Sequence, residues 1–395
     1  MSGLPAAHVS RWAPRKPPAV AQYNWITGGY EVAPEQLELP LPPVEDAFLP
    51  EDGSAVLLAT ENGAQLFVSG FGLFVGKKSE RVVVRKGKET CGQVPLLRLQ
   101  EIVIGSKGVS FSSDLVEELC SRGIRIAFLS SSGRPYALVT SPLLTATVET
   151  RRAQLAAYDN ERGAEMARWV AGGKIRNQEK LLRYFAKSRE GEPRRRLEET
   201  AAALRKLRRQ ALSTEGDGVE AVRPALMGLE GTAGRLYWRE VVAMLPEGLG
   251  FEGRVHQGPA DAVNAMLNYG YGILSAHVWG AVMNAGLEPF AGFLHSDRSG
   301  KPSLVLDLTE EFRQPVVDRA VLTWLNKGGK GRLVNGMLDA ASKEAVAGRV
   351  MVRLQAEETY RGKSHQVRSI IQMQARLAAS AVRGLRRYRP FAFKW

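Results

Sequence analysis

The stretch DAVNAMLNYGYGILSAHVWGAVMN, residues 261–284, determines how the C-terminal part of this chain must fold. After Asp261 it contains no lysine, arginine, aspartate or glutamate, and apolar residues cover nearly the whole circumference of a helix. Gly286 follows two residues later and is typical of a helix end. Because a helix that is apolar all round is normally buried, we expect other elements to surround residues 261–284.

Helical spacing continues on both sides of this stretch and predicts an all-α domain over residues 143–395. The predicted helices cover residues 145–171, 174–187, 201–212, 319–325, 344–360 and 367–385. A Gly172-Gly173 pair is expected to separate the first two. Residues 303–306 are strand-like, and an acidic helix is expected to follow them.

The N-terminal part has a different pattern, which predicts a small β-sandwich-like domain over residues 55–142. Short β-rich runs are separated by Gly-containing turns at residues 55–60, 65–69, 73–75, 81–85, 99–104, 124–129 and 134–139. One short helix is expected at residues 114–122. Residues 1–54 are rich in proline and predict a poorly ordered leader. The expected fold class is therefore α+β, with the β domain first.

Composition excludes several classes of protein. The two cysteines, Cys91 and Cys120, are too few for a disulfide framework and form no C-x-x-C zinc motif. The sequence contains no run of 18 apolar residues, so it predicts no membrane span. The N-terminus also lacks the apolar core of a secretion signal. We therefore expect a cytoplasmic protein that does not bind membranes.

The net charge of +13 indicates a polyanionic partner. Residues 151–210 hold 17 Lys and Arg against 8 Asp and Glu (net +9), and residues 350–395 hold 10 against 2 (net +8). The intervening residues 211–349 hold 13 against 16 (net −3). An acidic site between phosphate-binding surfaces would give this pattern, and so would ordinary solvated helix faces. One predicted helix carries four positive charges on one face: Arg176, Lys180, Arg183 and Lys187.

Three segments contain residues that could hold a metal ion. Glu230 is a single acid among small and apolar residues, and His295 lies in a polar loop. Asp307 and Glu310 are three residues apart, so they would share a helix face, in its first turn. From spacing alone, helix-capping acids remain the simpler interpretation. His277, within the apolar helix, is more simply a satisfied core or interface residue.

Taken together, these segments resemble the CRISPR-associated integrase family, the larger of the two core spacer-acquisition proteins. The resemblance runs from about residue 55 to the end. The motifs that carry it are GLFVGKK (72–78), RGIRIAFL (122–129), GLEGTA (228–233), DAVNAMLNYGY (261–271), GFLH (292–295) and DLTEEFR (307–313). Two departures leave the proposed ligands untouched: Ala262 stands where proline is usual, and HQGP at 256–259 replaces a more basic run.

The resemblance implies a metal-dependent integrase and endonuclease, in which Glu230, His295 and Glu310 are metal ligands and Asp307 is a nearby fourth catalytic acid. Two carboxylates and an imidazole suit Mg²⁺ or Mn²⁺. The implied reaction is attack of a spacer 3′-hydroxyl on a phosphodiester at a CRISPR repeat. The implied partners are double-stranded DNA, a second copy of the chain joined through the β domain, and a small ferredoxin-like adaptation protein that bridges two dimers.

Two other functions remain open. One is a DNA-binding assembly subunit that does not use its metal site, and the other is a plain metal-dependent nuclease without integration. In each case the basic residues would contact DNA phosphates, which position a duplex without reading its sequence. We expect such contacts from the basic helix face and from Arg298, Arg313 and Arg368.

Overall fold

The structure, a computed structural model, describes residues 22–24, 29–31, 55–60, 63–141, 148–255 and 261–394. Contacts divide the chain into two compact units, residues 1–43 and 44–395. In the first unit the described residues form an antiparallel hairpin of β1 (Gln22–Asn24) and β2 (Gly29–Glu31). The rest of the predicted leader, residues 1–54, lies outside the described residues.

The second unit begins with two β-sheets that share one apolar core. Its strands are β3 (Ala55–Thr60), β4 (Gly63–Val68), β5 (Leu73–Lys78), β6 (Arg81–Lys86), β7 (Glu89–Pro95), β8 (Leu99–Ile104), β9 (Ser110–Phe111), β10 (Arg125–Leu129) and β11 (Pro135–Val139). One sheet has the order β11-β10-β8-β4-β3 and the other β7-β6-β5-β9. Leu66 and Ile102 of the first sheet pack with Val82 and Val84 of the second. The predicted sandwich-like arrangement is confirmed.

Two elements of the β region differ in how well their patterns predict them. Helix α1 (Ser113–Ser121) lies where a helix was predicted and buries Leu115 and Leu119. Strand β7 was not predicted, because its sequence ETCGQVP buries only Gly92 and Val94 and is otherwise polar. Pairing with β6 therefore makes this segment a strand, in spite of its weak intrinsic preference.

The remainder of the chain is mostly helical, which confirms the mixed α+β class. The helices are α2 (Val148–Ala157), α3 (Glu161–Ala186), α4 (Gly191–Leu212), α5 (Val219–Met244), α6 (Ala262–Asn284), α7 (Ser303–Glu310), α8 (Arg319–Asn326), α9 (Ala340–Gln355) and α10 (Val367–Val382). Two short hairpins that were not predicted interrupt them: β12 (Leu333–Val334) with β13 (Met337–Leu338), and β14 (Glu357–Tyr360) with β15 (Lys363–Gln366). Among the described helices, none combines the length and apolar character that crossing a membrane requires.

The predicted break at Gly172-Gly173 is wrong, because α3 runs through both glycines. The pair allows close packing instead of a turn. A Cβ on Gly172 would lie 2.9 Å from a Leu212 methyl carbon, and one on Gly173 would lie 2.6 Å from Pro390 Cβ. The true start of α3 follows Asn160, whose side chain accepts a hydrogen bond from the backbone of Arg162 as an N-cap.

The strand predicted at residues 303–306 is also wrong, since these residues form the first turn of α7. Pro302 precedes this turn, where a missing N–H costs no helical hydrogen bond. The consequence is that Asp307 lies in the second turn and Glu310 at the end of α7, not in a first turn where they would cap a helix.

Two predicted helices end earlier than expected. The segment 344–360 is helical only to Gln355 and then turns into β14, because Arg361 and Gly362 have φ values of 50° and 84° and form the hairpin turn. The segment 367–385 ends at Val382, followed by Gly384 with φ of 76°.

Helix α6 is largely buried, as its apolar sequence predicts, and it also joins the helical region to the β region. Its Gly272 allows the turn between β10 and β11 to approach closely: a Cβ on Gly272 would lie 1.4 Å from the carbonyl oxygen of Gly133. His277 is an interface residue, as predicted, with Nε2 2.6 Å from Glu101 Oε2 and 2.9 Å from Gln65 Nε2.

Substituting Gly272 with alanine tests whether this close approach holds the two regions together. We expect Gly272→Ala to lower the free energy of unfolding by about 1–3 kcal/mol or more, because the obstacle is a backbone carbonyl that cannot rotate away. Gly348→Ala is the matched control: it lies within α9, where a Cβ would meet open space, and should raise stability by about 0.5–1 kcal/mol. Equal melting temperatures for the two variants would contradict the role of Gly272.

Candidate active site

Three helices bring opposite charges together at one point of the helical region. Lys174 of α3 lies between Glu310 at the end of α7 and Glu230 of α5. Its Nζ is 2.8 Å from Glu310 Oε2 and makes a close ion pair with Glu230 Oε1. Glu310 is only 1% exposed, whereas Glu230 is partly exposed toward a cleft. The ammonium group therefore links the two carboxylates in the interior of the cluster.

His295 is oriented toward Glu310 by Asp307. The Asp307 carboxylate accepts hydrogen bonds from the backbone N–H groups of Phe293 (2.6 Å), Leu294 (3.0 Å) and His295 (3.0 Å). Asp307 Oδ1 also lies 2.7 Å from His295 Nδ1. This leaves Nε2 facing Glu310, 3.8 Å from its Oε1. A ligating histidine is commonly oriented in this way, by a carboxylate on its other ring nitrogen.

The loop that carries His295 packs closely against the start of α7. A Cβ on Gly292 would lie 2.9 Å from Asp307 Oδ2 and 2.6 Å from the carbonyl carbon of Ser303. The Ser303 hydroxyl accepts a hydrogen bond from the N–H of Gly292 and donates one to the carbonyl of Phe290. The first turn of α7 thus fixes the loop, and the second turn fixes its histidine.

A second positive charge, Arg313, lies beside Glu310. Its Nη1 is 3.2 Å from Glu310 Oε1, and its guanidinium carbon lies 4.9 Å from the centre of the Tyr271 ring. Arg254 contacts the same ring at 5.3 Å. Tyr271 therefore supports two cations at the edge of the site.

A buried carboxylate, Asp318, holds this tyrosine. The hydroxyl groups of Tyr271 and Tyr237 donate to it at 2.5 Å and 2.8 Å. Burial, together with the neighbouring Asp318, raises the pKa of both tyrosines well above the usual range, so they remain donors. The positions of Arg254 and Arg313 thus depend on Asp318, which the sequence did not single out.

The cluster keeps its central groups charged. Burial raises the pKa of Glu310, but the charges of Arg313, Lys174 and His295 lower it by more, so that the pKa is about 2. Burial lowers the pKa of Lys174, but Glu310 and Glu230 raise it by more, so the net shift is upward. Glu310 is therefore a carboxylate and Lys174 an ammonium at neutral pH.

The donor set fits a hard divalent cation, with one obstruction. Glu310 Oε2 is buried and accepts no well-aligned hydrogen bond from the described residues, although it contacts Lys174. Glu230 offers a second carboxylate and His295 an imidazole nitrogen, a set that suits Mg²⁺ or Mn²⁺. Within the ranges that the structure describes, however, no three His, Cys, Asp or Glu side chains converge closely enough to hold a metal. Lys174 occupies the position between the two carboxylates, Glu230 and Glu310.

A cleft of about 510 Å³ opens beside Glu230 along α5. Cationic side chains and one indole line it: Lys174, Arg235, Arg239, Arg254, Arg313 and Trp238. Gly231 and Gly234 form part of its wall, and open space lies where their Cβ atoms would be. A polyanion could therefore approach the backbone of α5 closely.

The C-terminal tail packs behind the site through Glu311. Its carboxyl group accepts hydrogen bonds from Gln374 Nε2 (3.0 Å), the Tyr388 hydroxyl (3.2 Å) and the N–H of Phe391 (3.0 Å). Burial raises the pKa of Glu311 to about 8, despite these donors. Glu311 is therefore buried behind the site, whereas Arg313, two residues further on, lines the cleft.

The predicted basic residues lie in several places. Arg176, Lys180 and Arg183 form one side of α3, roughly opposite Lys174 on the helix, and Lys187 follows directly after the last residue of α3. Arg176 lines a second cleft of about 350 Å³, whose other cations are Arg361, Arg387, Arg389 and Lys394. Arg298 is exposed in the His295 loop. Arg368 is partly buried near Glu101 and donates to Gln366 Oε1 at 2.7 Å, away from the Lys174 cluster.

Comparison with known proteins gives a consistent result. The family model described as CRISPR associated protein Cas1 matches residues 66–332. A CRISPR-associated endonuclease Cas1 1 from Archaeoglobus fulgidus is 37% identical over 353 residues, covering 84% of this chain and 100% of that protein.

Two solved structures share the fold at 22% identity. A casposase bound to integration product has a TM-score of 0.69, covering 82% of this chain and 92% of that one. A chain of a Cas6-RT-Cas1–Cas2 complex has a TM-score of 0.67, covering 85% of this chain and 36% of that one. Because the family model spans well over half of the residues and the Archaeoglobus relative is matched throughout its length, this chain belongs to the Cas1 family of CRISPR-associated proteins.

Proposed function

We propose that this protein is a metal-dependent DNA integrase that joins the 3′-hydroxyl ends of spacer DNA to phosphodiesters of the CRISPR repeat. The observation that supports it best is that Glu230 and Glu310 meet at Lys174, with His295 Nε2 3.8 Å from Glu310 Oε1, beside a cationic cleft. Relatives of the chain are named endonucleases, and a protein of similar fold was solved with an integration product.

Glu230, Glu310 and Nε2 of His295 are the groups that would hold Mg²⁺ or Mn²⁺. A divalent cation bound there would supply Lewis-acid stabilisation of charge on the attacking and leaving oxygens. Asp307 keeps its role as the group that orients His295, because its two oxygens are already occupied by three backbone N–H groups and the imidazole. No covalent protein nucleophile is needed for this reaction.

The cations of the cleft would position the reacting phosphodiester. Arg313 and Arg254 share the Tyr271 ring, so their guanidinium groups are held with little freedom and are suited to paired hydrogen bonds with phosphate oxygens. Trp238 offers a stacking surface for an unpaired base next to the reacting end. Water in place of the 3′-hydroxyl would give strand cleavage, which accounts for the endonuclease name of relatives.

The outer basic surfaces would bind duplex DNA through its phosphates. We assign this role to the α3 residues Arg176, Lys180, Arg183 and Lys187, to Arg298, and to the second cleft. Such contacts give affinity and orientation without sequence reading. Arg368 is a weaker candidate, since it is partly buried and engaged with Gln366.

We also propose a homodimer formed through the β region, and two such dimers bridged by a small ferredoxin-like adaptation protein. The bridging partner is supported by the similar fold found within a complex named for Cas1 and Cas2, and the homodimer is what the family resemblance implies. A DNA-binding assembly subunit without catalysis would keep these partners, so partners alone do not separate the two functions. A plain nuclease differs in not requiring a free 3′-hydroxyl on the donor.

Strand transfer of a short donor duplex into a supercoiled repeat plasmid tests the proposal. With the bridging partner and Mn²⁺ present, we expect Glu230→Ala, His295→Ala and Glu310→Ala each to reduce joining by more than about 100-fold, while DNA affinity is kept. EDTA should abolish joining, and so should a donor with dideoxy 3′ ends. Glu199→Ala is the matched control, because Glu199 is an exposed carboxylate on α4.

Joining that persists without one of these side chains would remove that residue from the proposed site. Cleavage of the plasmid that is indifferent to the donor 3′ end would favour the nuclease. Tight DNA binding without joining by the wild type, with its partner present, would favour the assembly subunit.

Asp307→Asn tests whether this carboxylate acts through His295. An amide has one acceptor oxygen instead of two, so it cannot satisfy the three backbone donors and the imidazole. We expect Mn²⁺ affinity, measured by calorimetry, to fall by about 10–100-fold. Asp217→Asn, in the exposed loop before α5, should leave the affinity unchanged. Unaltered Mn²⁺ binding by Asp307→Asn would contradict this role.

A further inference from the structure

Lys174 carries an interaction that the proposed reaction does not explain. Its ammonium contacts both Glu230 and Glu310, the two carboxylates assigned to the metal, with 2.8 Å to the second. A cation held by both carboxylates would lie where this ammonium lies. The structure therefore describes a site whose anionic ligands are already shared by a side-chain cation.

The four side chains that are ion-paired with one another at this point balance in charge without a divalent ion. Glu230 and Glu310 contribute two negative charges, while Lys174 and Arg313 contribute two positive charges. Adding Mg²⁺ or Mn²⁺ would raise the net charge of these four groups from zero to +2 at short range. Binding of a divalent cation thus requires that one side-chain cation move away.

Of the two cations, Lys174 is the one that can move. Arg313 stacks on Tyr271, which Asp318 holds in place, so its guanidinium is restricted. The lysine side chain is long and flexible, and Lys174 also lines the cleft beside Gln178 and Arg235. Rotation into the cleft would take the ammonium off the carboxylates and leave it facing any phosphate bound there.

We propose that Lys174 is an exchangeable counter-cation, which holds Glu230 and Glu310 together in the metal-free protein and is displaced into the DNA cleft when a divalent cation binds. Lys174 is thus a positioning residue that competes with the metal. This inference rests on the proposed metal site. If Lys174 competes with the metal, removing it should strengthen metal binding. If the lysine merely supported the site, removing it should weaken metal binding.

Mn²⁺ titration of the full-length protein, followed by electron paramagnetic resonance and without DNA, tests the exchange. We expect Lys174→Met to bind Mn²⁺ at least about 10-fold more tightly than the wild type, since the competing charge is gone. Its melting temperature without metal should be lower, and the rise on adding Mn²⁺ larger. Lys206→Met, which removes an exposed charge from α4, should match the wild type in both measurements.

Glu310→Ala in the same titration identifies which bound Mn²⁺ belongs to this site. Suppose that the wild type shows Glu310-dependent Mn²⁺ binding and that Lys174→Met binds Mn²⁺ equally or more weakly. This result would overturn the exchange but not the metal site. Absence of Glu310-dependent binding in both proteins would overturn the metal site and the exchange together. If Lys174→Met does not fold, Lys174→Gln keeps a hydrogen-bond donor without the charge, and the same increase in affinity is expected.

Discussion

The buried carboxylate of Glu310 is the constraint on which the arrangement of the site depends. A side chain that is 1% exposed and ionised needs compensating charge, and here Lys174 of α3 and Arg313 supply it. Arg313 reaches it from three residues along the chain, whereas Lys174 reaches it only because α3 and α7 meet at this point. Glu310 is thus paired by one cation distant in sequence, Lys174, and by one local cation, Arg313, and removing either would leave a buried negative charge partly uncompensated.

Three further acidic side chains, each buried, fix what surrounds this centre. Asp307 orients His295, Asp318 holds the tyrosine beneath two arginines, and Glu311 binds the C-terminal tail against α3. Asn177 of α3 reinforces the last of these, because its amide donates to the carbonyls of Glu311 and Phe391. The cluster is therefore a preorganised polar network in which each carboxylate has assigned donors.

The sequence predicted well those features that follow from local pattern. The apolar run 261–284, the alternation in the β region and the ordered motifs identified the fold class and the residues that meet around Lys174. Prediction from the sequence failed where a distant contact decides the structure. The glycine pair inside α3 allows packing against Leu212 and Pro390. Residues 303–306 are helical although their apolar run suits a strand. Lys174 itself gave no local signal, because a lysine on a basic helix is ordinary until the carboxylates it touches are known.

A crystal of the full chain grown with Mn²⁺ tests the proposed metal site most directly, by the anomalous signal of the metal. We predict a peak within about 2.0–2.3 Å of a Glu230 oxygen, a Glu310 oxygen and His295 Nε2, with Lys174 turned toward the cleft and Asp307 still bound to the His295 loop. A peak at Asp307, or full Mn²⁺ occupancy elsewhere with Lys174 still between Glu230 and Glu310, would contradict both the ligand set and the exchange.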